Sequence, residues 1–482
     1  RFMPHELRGQ LTRDKRQILA DIQTLLNVSP SDASLLKSLL EAYCNSSFFE
    51  INTKTVVELI SSDDDLRKAF FAKSLSFTTE QEHKRFYEET AEKLKIIWKA
   101  MENGKIHITD SFYLKLFQQN MDAPYITKEL AKYDALLVDE GQDLNPIQAY
   151  FLENTTIPQR LIVGDRHQSI YAWRKAVNTL SQLQWPQLNL TTSFRFRNQT
   201  VVDIANNFLK NWKQDTNQIV AKPTNKQIST VAYISRTNGK LVERISELSE
   251  PFQLVRDIDS VFSELFVAEK ILRYLKTEDK TYRDDIPAFL LDLIDFVFEY
   301  EGASRNRLEL LMKELREMND LDMIVALSIA KRHDIHRLYE KTQRLNSPNA
   351  TTYLTTAHTS KGLEFSHVIL DDDFPQPPNL IAEHVFNQLS HNKQYTDEEL
   401  EKKITETLTA IVNDDVKVSS ILDELNLQYV SVTRAIDQIG GHRDIEHFFE
   451  IPARSWIPYI LQTIKVLSST NQEGGKNDGN GK

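Results

Sequence analysis

At 482 residues, 40 % hydrophobic and 26 % charged, the chain has ordinary globular composition and length for roughly two to four domains with cores of their own. Its formal net charge of −11 argues against a protein that coats nucleic acid by electrostatics alone, though a narrow channel of aromatic stacking and a few local cations stays open to it. The single cysteine, Cys44, excludes an internal disulfide and suggests a reducing compartment; no apolar run reaches bilayer length, and residues 1–11 carry no signal-peptide pattern.

Residues 1–100 set Leu and Ile at helical spacing (Ile18, Ile22, Leu25, Leu26; Leu35, Leu36, Leu39, Leu40) among Lys, Glu and Asp. This predicts a helical region with no chemistry of its own, one helix being capped at Ser31 or Asp32. Arg13, Lys15 and Arg16 read as a solvated face. Thr109-Asp110 caps a further helix. Ala135–Val138 and residues 161–163 are short apolar runs that end abruptly in carboxylates, and their length suits buried strands of a parallel sheet. A helix from Asn145-Pro146 through Glu153 lies between them. Ligands of open α/β sheets sit beyond the carboxyl ends of the strands, where Asp139, Glu140, Asp165 and Gln168 emerge. An Asp-Glu pair there suits phosphate chemistry, with one carboxylate holding Mg²⁺ and the other orienting or deprotonating water. Residues 168–180 are expected to turn into a helix with Tyr171, Trp173 and Arg174.

Trp185-Pro186 marks a break, after which a second domain starts. Residues 198–212 form an amphipathic helix with Val201, Ile204, Ala205, Phe208 and Leu209 on one face. Residues 229–235 alternate as a strand and end in the turn Arg236-Thr237-Asn238-Gly239. Residues 260–345 are helical throughout and read as an insertion. Strands flank a polar turn within residues 351–370, and residues 425–435 have helical spacing with Arg434 near the end. The tail, rich in Gly, Asn and Lys, is expected to be disordered.

One acidic strand end is commonplace. Two are not, when the first reads Asp139-Glu140-Gly141-Gln142-Asp143 and the second Gly164-Asp165-Arg166-His167-Gln168-Ser169-Ile170-Tyr171-Ala172-Trp173-Arg174. These segments resemble motifs II and III of the UvrD/Rep-type superfamily 1A DNA helicases. Ser193-Phe194-Arg195 resembles motif IV. The segment from His358 through Lys361, Gly362 and Glu364 to Phe365 resembles motif V, and Tyr429 to Ala435, with Arg434, resembles motif VI. The resemblance runs from about residue 113 to 439. Phe194-Arg195-Phe196, residues 176–180 and Leu370-Asp371-Asp372-Asp373-Phe374 lean towards the F-box DNA helicase branch, although no F-box is evident.

The resemblance implies an α/β protein with two RecA-like parallel-sheet lobes, the first incomplete at its N-terminus, and helical insertion subdomains. Residues 1–131 would hold the first insertion and flanking lobe, and 132–184 the rest of the first lobe. The second lobe would be 185–259 with 346–455, its insertion 260–345, and the C-terminal extension 456–482, disordered from about 470. It implies an ATP-dependent DNA helicase or translocase, moving three-prime to five-prime in repair or recombination control, with ATP and Mg²⁺ as cofactors. Asp139 would then be the metal ligand, Glu140 the catalytic base and Gln168 the γ-phosphate sensor. Arg195 and Arg434 would be transition-state cations on a domain that closes over ATP, Phe194 the adenine platform, and Glu364, beside Gly362, the ribose contact. Trp173, with Arg174, Tyr171 and His358, would meet the strand. Implied partners are single-stranded DNA, single-strand/duplex junctions, and recombinase filaments or other repair proteins, with no membrane. The implied location is cytoplasmic and nucleoid-associated, or the nucleus of a eukaryote.

The sequence departs from the family at one decisive point. A phosphate loop needs Gly-x-x-x-x-Gly-Lys-Ser/Thr so that backbone N–H groups can wrap the phosphates. The Gly-Lys pairs at 104, 239, 475 and 481 never continue into Ser or Thr. The chain is therefore expected to be an N-terminally truncated helicase, inactive by itself. The alternative is an ATPase-deficient helicase-like module that binds DNA or protein. A helical scaffold around an unrelated α/β core is a third reading, and it leaves the motif at 164–174 unexplained. Gly141, Arg166 and Lys175 replace the usual Ala, Pro and Gly without removing a catalytic group.

Overall fold

Local cap chemistry fixes where many helices begin. Pro30, with its φ preset for a first helical position, starts Pro30–Cys44, and Ser29 accepts from Asp32 N at 3.1 Å. The cap thus falls before the expected Ser31 or Asp32, because the proline sets the first turn. Thr109 caps Asp110–Gln119, and Asn145 with Gln148 forms a capping box on Pro146–Asn154, both as expected.

The computed structural model describes residues 5–12, 15–74, 77, 79–171, 178–222, 229–283, 286–299, 306–317, 320–389, 395–441 and 443–474. It shows a mixed α/β chain with parallel sheets, in two units. The first is Arg1–Asp165, Trp173–Leu180 and Glu264–His333; the second is Arg166–Ala172, Ser181–Ser263 and Asp334–Lys482. The described residues of the stretch read as one helical insertion are mostly helical, but they divide between the two units. Among the described residues no helix is long and apolar enough to cross a membrane.

In the first unit, Ile22, Leu36, Leu39, Tyr43, Leu59, Leu94, Ile97, Trp98 and Phe112 form one core, each such burial contributing about 1.5–3 kcal/mol before entropy. Lys115 lies inside it, fully buried. Its Nζ donates to Ser46 O at 2.9 Å, to Phe48 O and to Gln118 Oε1 at 2.9 Å, and stands 4.6 Å from the Tyr43 ring centroid.

Strand β1 (Ala135–Val138) pairs in parallel with β2 (Gln159–Ile162), Leu137 opposite Leu161. Leu136 packs against Ile126, Leu130 and Ile157. The opposite face corrects the expectation of buried strands: Leu137 is 72 % exposed, Leu161 56 % and Val163 43 %. Parallel strands are buried on both faces only where helices cover both, and the described residues cover one. The second strand also starts earlier than residue 161.

In the second unit, β3 (Thr192–Ser193) pairs with β4 (Val220–Ala221). A five-stranded parallel sheet comprises β5 (Val231–Ser235), β6 (Gln253–Leu254), β7 (Thr352–Thr356), β8 (Phe365–Leu370) and β9 (Ala435–Gly440), ordered β6-β7-β5-β8-β9. Phe208 and Trp212 of Gln199–Trp212 and Leu425 and Tyr429 of Ser419–Val432 share its core. The helix expected over 425–435 ends at Val432, and Ala435 opens β9, leaving Arg434 at the junction. Gly441, at φ +66, closes that strand where an added Cβ would stand 1.9 Å from Leu370 O. The last helix, Ile457–Gly474, runs past residue 470, where disorder is expected. Residues 475–482 lie outside the described residues.

Candidate active site

At the carboxyl end of β1, Asp139 and Glu140 are exposed. Glu140 holds a left-handed backbone (φ 53°, ψ 45°), a conformation costing a non-glycine residue about 1–2 kcal/mol and one that collects at functional sites. Its N–H donates to Asp139 Oδ1 at 2.9 Å, and Asp143 N donates to Glu140 O at 2.9 Å, closing a tight turn. Gln142, fully buried, ties the two strand ends together: Nε2 donates to Glu140 Oε2 at 2.5 Å and Oε1 accepts from Asp165 N at 3.2 Å. Gly164 makes room for it, since a Cβ there would stand 2.2 Å from Gln142 Oε1. The motif contains Gln142, but its bridging role is not readable without this close approach.

The donor set suits Mg²⁺, which takes one or two carboxylates and completes its shell with water and phosphate. Among the described residues no group of three or more His, Cys, Asp or Glu could hold a metal by itself.

The second unit gathers residues from separate segments. Arg195 Nε donates to Glu364 Oε1 at 2.8 Å and its Nη1 to Thr433 O at 3.1 Å. Arg434 is 1 % exposed; it donates to Val430 O at 2.9 Å, Thr433 Oγ1 at 3.1 Å and Leu363 O at 3.3 Å, and reaches Gln168 Oε1 at 3.5 Å. Lys361, which sequence reasoning left without a role, donates to Gln168 O at 2.7 Å, with Nζ 5.0 Å from the Tyr171 ring centroid. Tyr171 lies 6.4 Å from His358 between ring centroids. Phe194 is 56 % exposed, with Lys222 Nζ 5.6 Å from its ring centroid. Gly362, at φ +82, has open space around it. Trp173 and Arg174 lie outside the described residues.

Glu364 and Arg434 precede β8 and β9, so this cluster forms at the amino ends of the strands. The carboxyl ends are occupied by internal charge pairs. Asp371 takes Arg244 and Ser235, Glu424 takes Arg236, and Asp373 caps the backbone N–H groups of Arg236 and Thr237. Burial raises the Asp373 carboxyl above its ordinary value, against those hydrogen bonds.

Parallel strands ending in Asp-Glu and Gly-Asp, with a Gln–Arg–Glu cluster on a second parallel sheet, fit the RecA-like class of α/β proteins. Residues 9–185 match the family described as UvrD/REP helicase N-terminal domain, which supports the likeness of the chain to UvrD-like superfamily 1A helicases. It is 25 % identical over 411 residues to F-box DNA helicase 1 of Gallus gallus, covering 79 % of this chain and 36 % of that protein. It is 28 % identical over 163 residues to the probable DNA helicase II homolog of Mycoplasma capricolum, covering 30 % and 22 %. With F-box DNA helicase protein 1 of Schizosaccharomyces pombe it shares 29 % identity over 267 residues, covering 51 % and 30 %. The chain therefore spans about a third or less of the length of these relatives.

Proposed function

We propose that the chain forms the motor part of an ATP-dependent DNA helicase or translocase that moves three-prime to five-prime on single-stranded DNA in repair or recombination control. The observation that carries this reading is the meeting of Gln168, Arg195, Glu364 and Arg434, from four separate segments, within one unit. In this reading residues 132–184 belong to the first RecA-like lobe, with Arg166–Ala172 packing within the second unit, and 185–259 with 346–455 form the second lobe, while 1–131 supply the first helical insertion with flanking lobe and 260–345 the second insertion.

Asp139 would hold Mg²⁺, which would supply neutralisation of charge on the phosphates. Glu140 orients the attacking water and accepts its proton, its carboxylate aimed by the bond from Gln142. Charge that develops on the transferred phosphoryl oxygens is met by guanidinium groups. Arg195 reaches them by exchanging Glu364 for phosphate, which frees Glu364 for the ribose. Gln168 reports the γ-phosphate to Arg434, and the exposed Phe194 ring stacks on adenine. Trp173, with Tyr171 and His358, supplies sequence-tolerant stacking for a strand.

A second reading, a helicase-like module that binds DNA or protein without turnover, is favoured by the lack of a Gly-x-x-x-x-Gly-Lys-Ser/Thr motif in these 482 residues. Strand displacement by the complete native protein on duplexes with three-prime or five-prime overhangs separates the two. ATP-dependent unwinding from the three-prime overhang supports the motor; strand binding with no ATP-dependent displacement supports the module.

A further inference from the structure

The turn Arg166–Gln168 is fastened within the second unit at several points. Asp215 Oδ2 accepts from Arg166 Nη2 at 2.9 Å and lies 3.0 Å from His167 Nε2. Asp215 Oδ1 accepts from the backbone and side-chain nitrogens of Asn217 at 2.8 and 3.0 Å. The His167 ring is buried edge-on to Phe208 and Tyr429, with centroids 6.3 Å from each. At the end of the turn Lys361 Nζ holds Gln168 O at 2.7 Å, and just beyond it Asn426 Nδ2 holds Ser169 O at 2.8 Å.

The segment carrying Asp215 is itself over-determined. Lys213, 2 % exposed, pairs with Asp414 at 2.8 Å, Gln214 is left-handed at φ 50°, and Asp215 N donates to Leu209 O at 2.9 Å. A strained non-glycine residue persists only where its surroundings hold it, and here it aims the next carboxylate. The hydrogen bond from His167, then those from Asn217 N and Arg166, hold the Asp215 carboxyl well below the usual carboxylate range against the opposing effect of burial, so it stays an anion at neutral pH. Asp215 belongs to none of the motifs.

We infer that Asp215 is a positioning residue for Gln168: through His167 and Arg166 it locks the turn Arg166–Gln168 to the second unit and so sets the Gln168 carboxamide against Arg434. The inference rests on Gln168 acting in ATP turnover.

Its test uses the complete native protein, with Asp215→Ala, Asp215→Asn, Gln168→Ala and the Gln168→Ala/Asp215→Ala pair. Hydrogen exchange of the peptide spanning residues 166–171 is expected to speed up by about tenfold in Asp215→Ala, because opening of the turn loses its anchor. DNA-stimulated kcat is expected to fall about tenfold with KM for ATP within about twofold, Asp215→Asn lying between it and the wild type. In the Gln168→Ala background, Asp215→Ala is expected to cause no further loss of kcat, the signature of two residues acting through one effect. Unchanged exchange, or losses that simply add, overturns the inference while leaving the role of Gln168 intact. Full turnover by Gln168→Ala overturns that role and the inference with it, whereas the exchange result still reports whether the anchor exists. Should Asp215→Ala fail to fold, Asp215→Asn carries the same comparisons.

Discussion

Lys115→Met should change both the stability of the first unit and how that stability responds to pH. The wild-type ammonium is fully buried, with its donors on neutral oxygens (Ser46 O, Phe48 O and Gln118 Oε1). Burial pulls Lys115 down from 10.5 to about 8. The unfolded chain therefore binds the extra proton between these values, so stability rises with pH through this window and falls as pH drops towards 8. Between pH 7 and 9 the gain is about 1 kcal/mol, since a tenfold change in proton affinity is worth about 1.4 kcal/mol and titration at pH 9 is incomplete. Methionine removes this dependence. It also leaves the Ser46 and Phe48 carbonyls without their donor, at about 1–3 kcal/mol each, partly offset by no longer burying a charge. The variant should thus be less stable at pH 7 by about 2 kcal/mol, the gap widening by about 1 kcal/mol at pH 9. Cys44 offers a local probe, since it is the single cysteine, is buried in the same core, and burial pushes its thiol up. The urea concentration at which Cys44 becomes open to a maleimide, corrected for intrinsic thiol reactivity at each pH, reads the opening of this core. Parallel pH dependence in wild type and variant would refute the reasoning.

Gly164→Ala should displace Gln142, because the new Cβ would stand 2.2 Å from Gln142 Oε1 and 2.9 Å from Leu180 Cδ1. A lower thermal midpoint, by the equivalent of about 1–3 kcal/mol, is expected together with slower turnover; an unchanged midpoint would show that the strand ends give way freely. Trp173→Ala should weaken single-strand binding and abolish unwinding while affecting DNA-free ATP hydrolysis less. Unchanged strand affinity, measured by fluorescence anisotropy, would return Trp173 to a packing role.

Sequence and structure agree where the controlling chemistry is local. Thr109 and Asn145 start their helices because a cap needs only its own next three residues. Asp139 directly follows β1 as its apolar run suggests, whereas β2 closes at Ile162, three residues before Asp165. Agreement stops where a distant partner decides. Leu137 and Leu161 look like core residues, yet their exposure depends on what covers that face. The break at Thr433 is hidden because the apolar spacing of 425–435 continues into β9. Lys115 and Asp215 carry no motif, their partners lying 69 and 48 residues away for Ser46 and His167. The residues of the second-unit cluster are legible one by one through the helicase resemblance, while their internal pairing, Arg195 with Glu364 and Arg434 with Gln168, is not.

The most direct measurement is ATP hydrolysis and DNA binding by Glu140→Gln in the complete native protein, beside the wild type. If Glu140 is the base of a DNA-stimulated ATPase, turnover disappears while ATP and single-stranded DNA still bind with near wild-type affinity. Wild-type turnover in Glu140→Gln would contradict the assignment of the acidic pair, and with it the proposed motor chemistry.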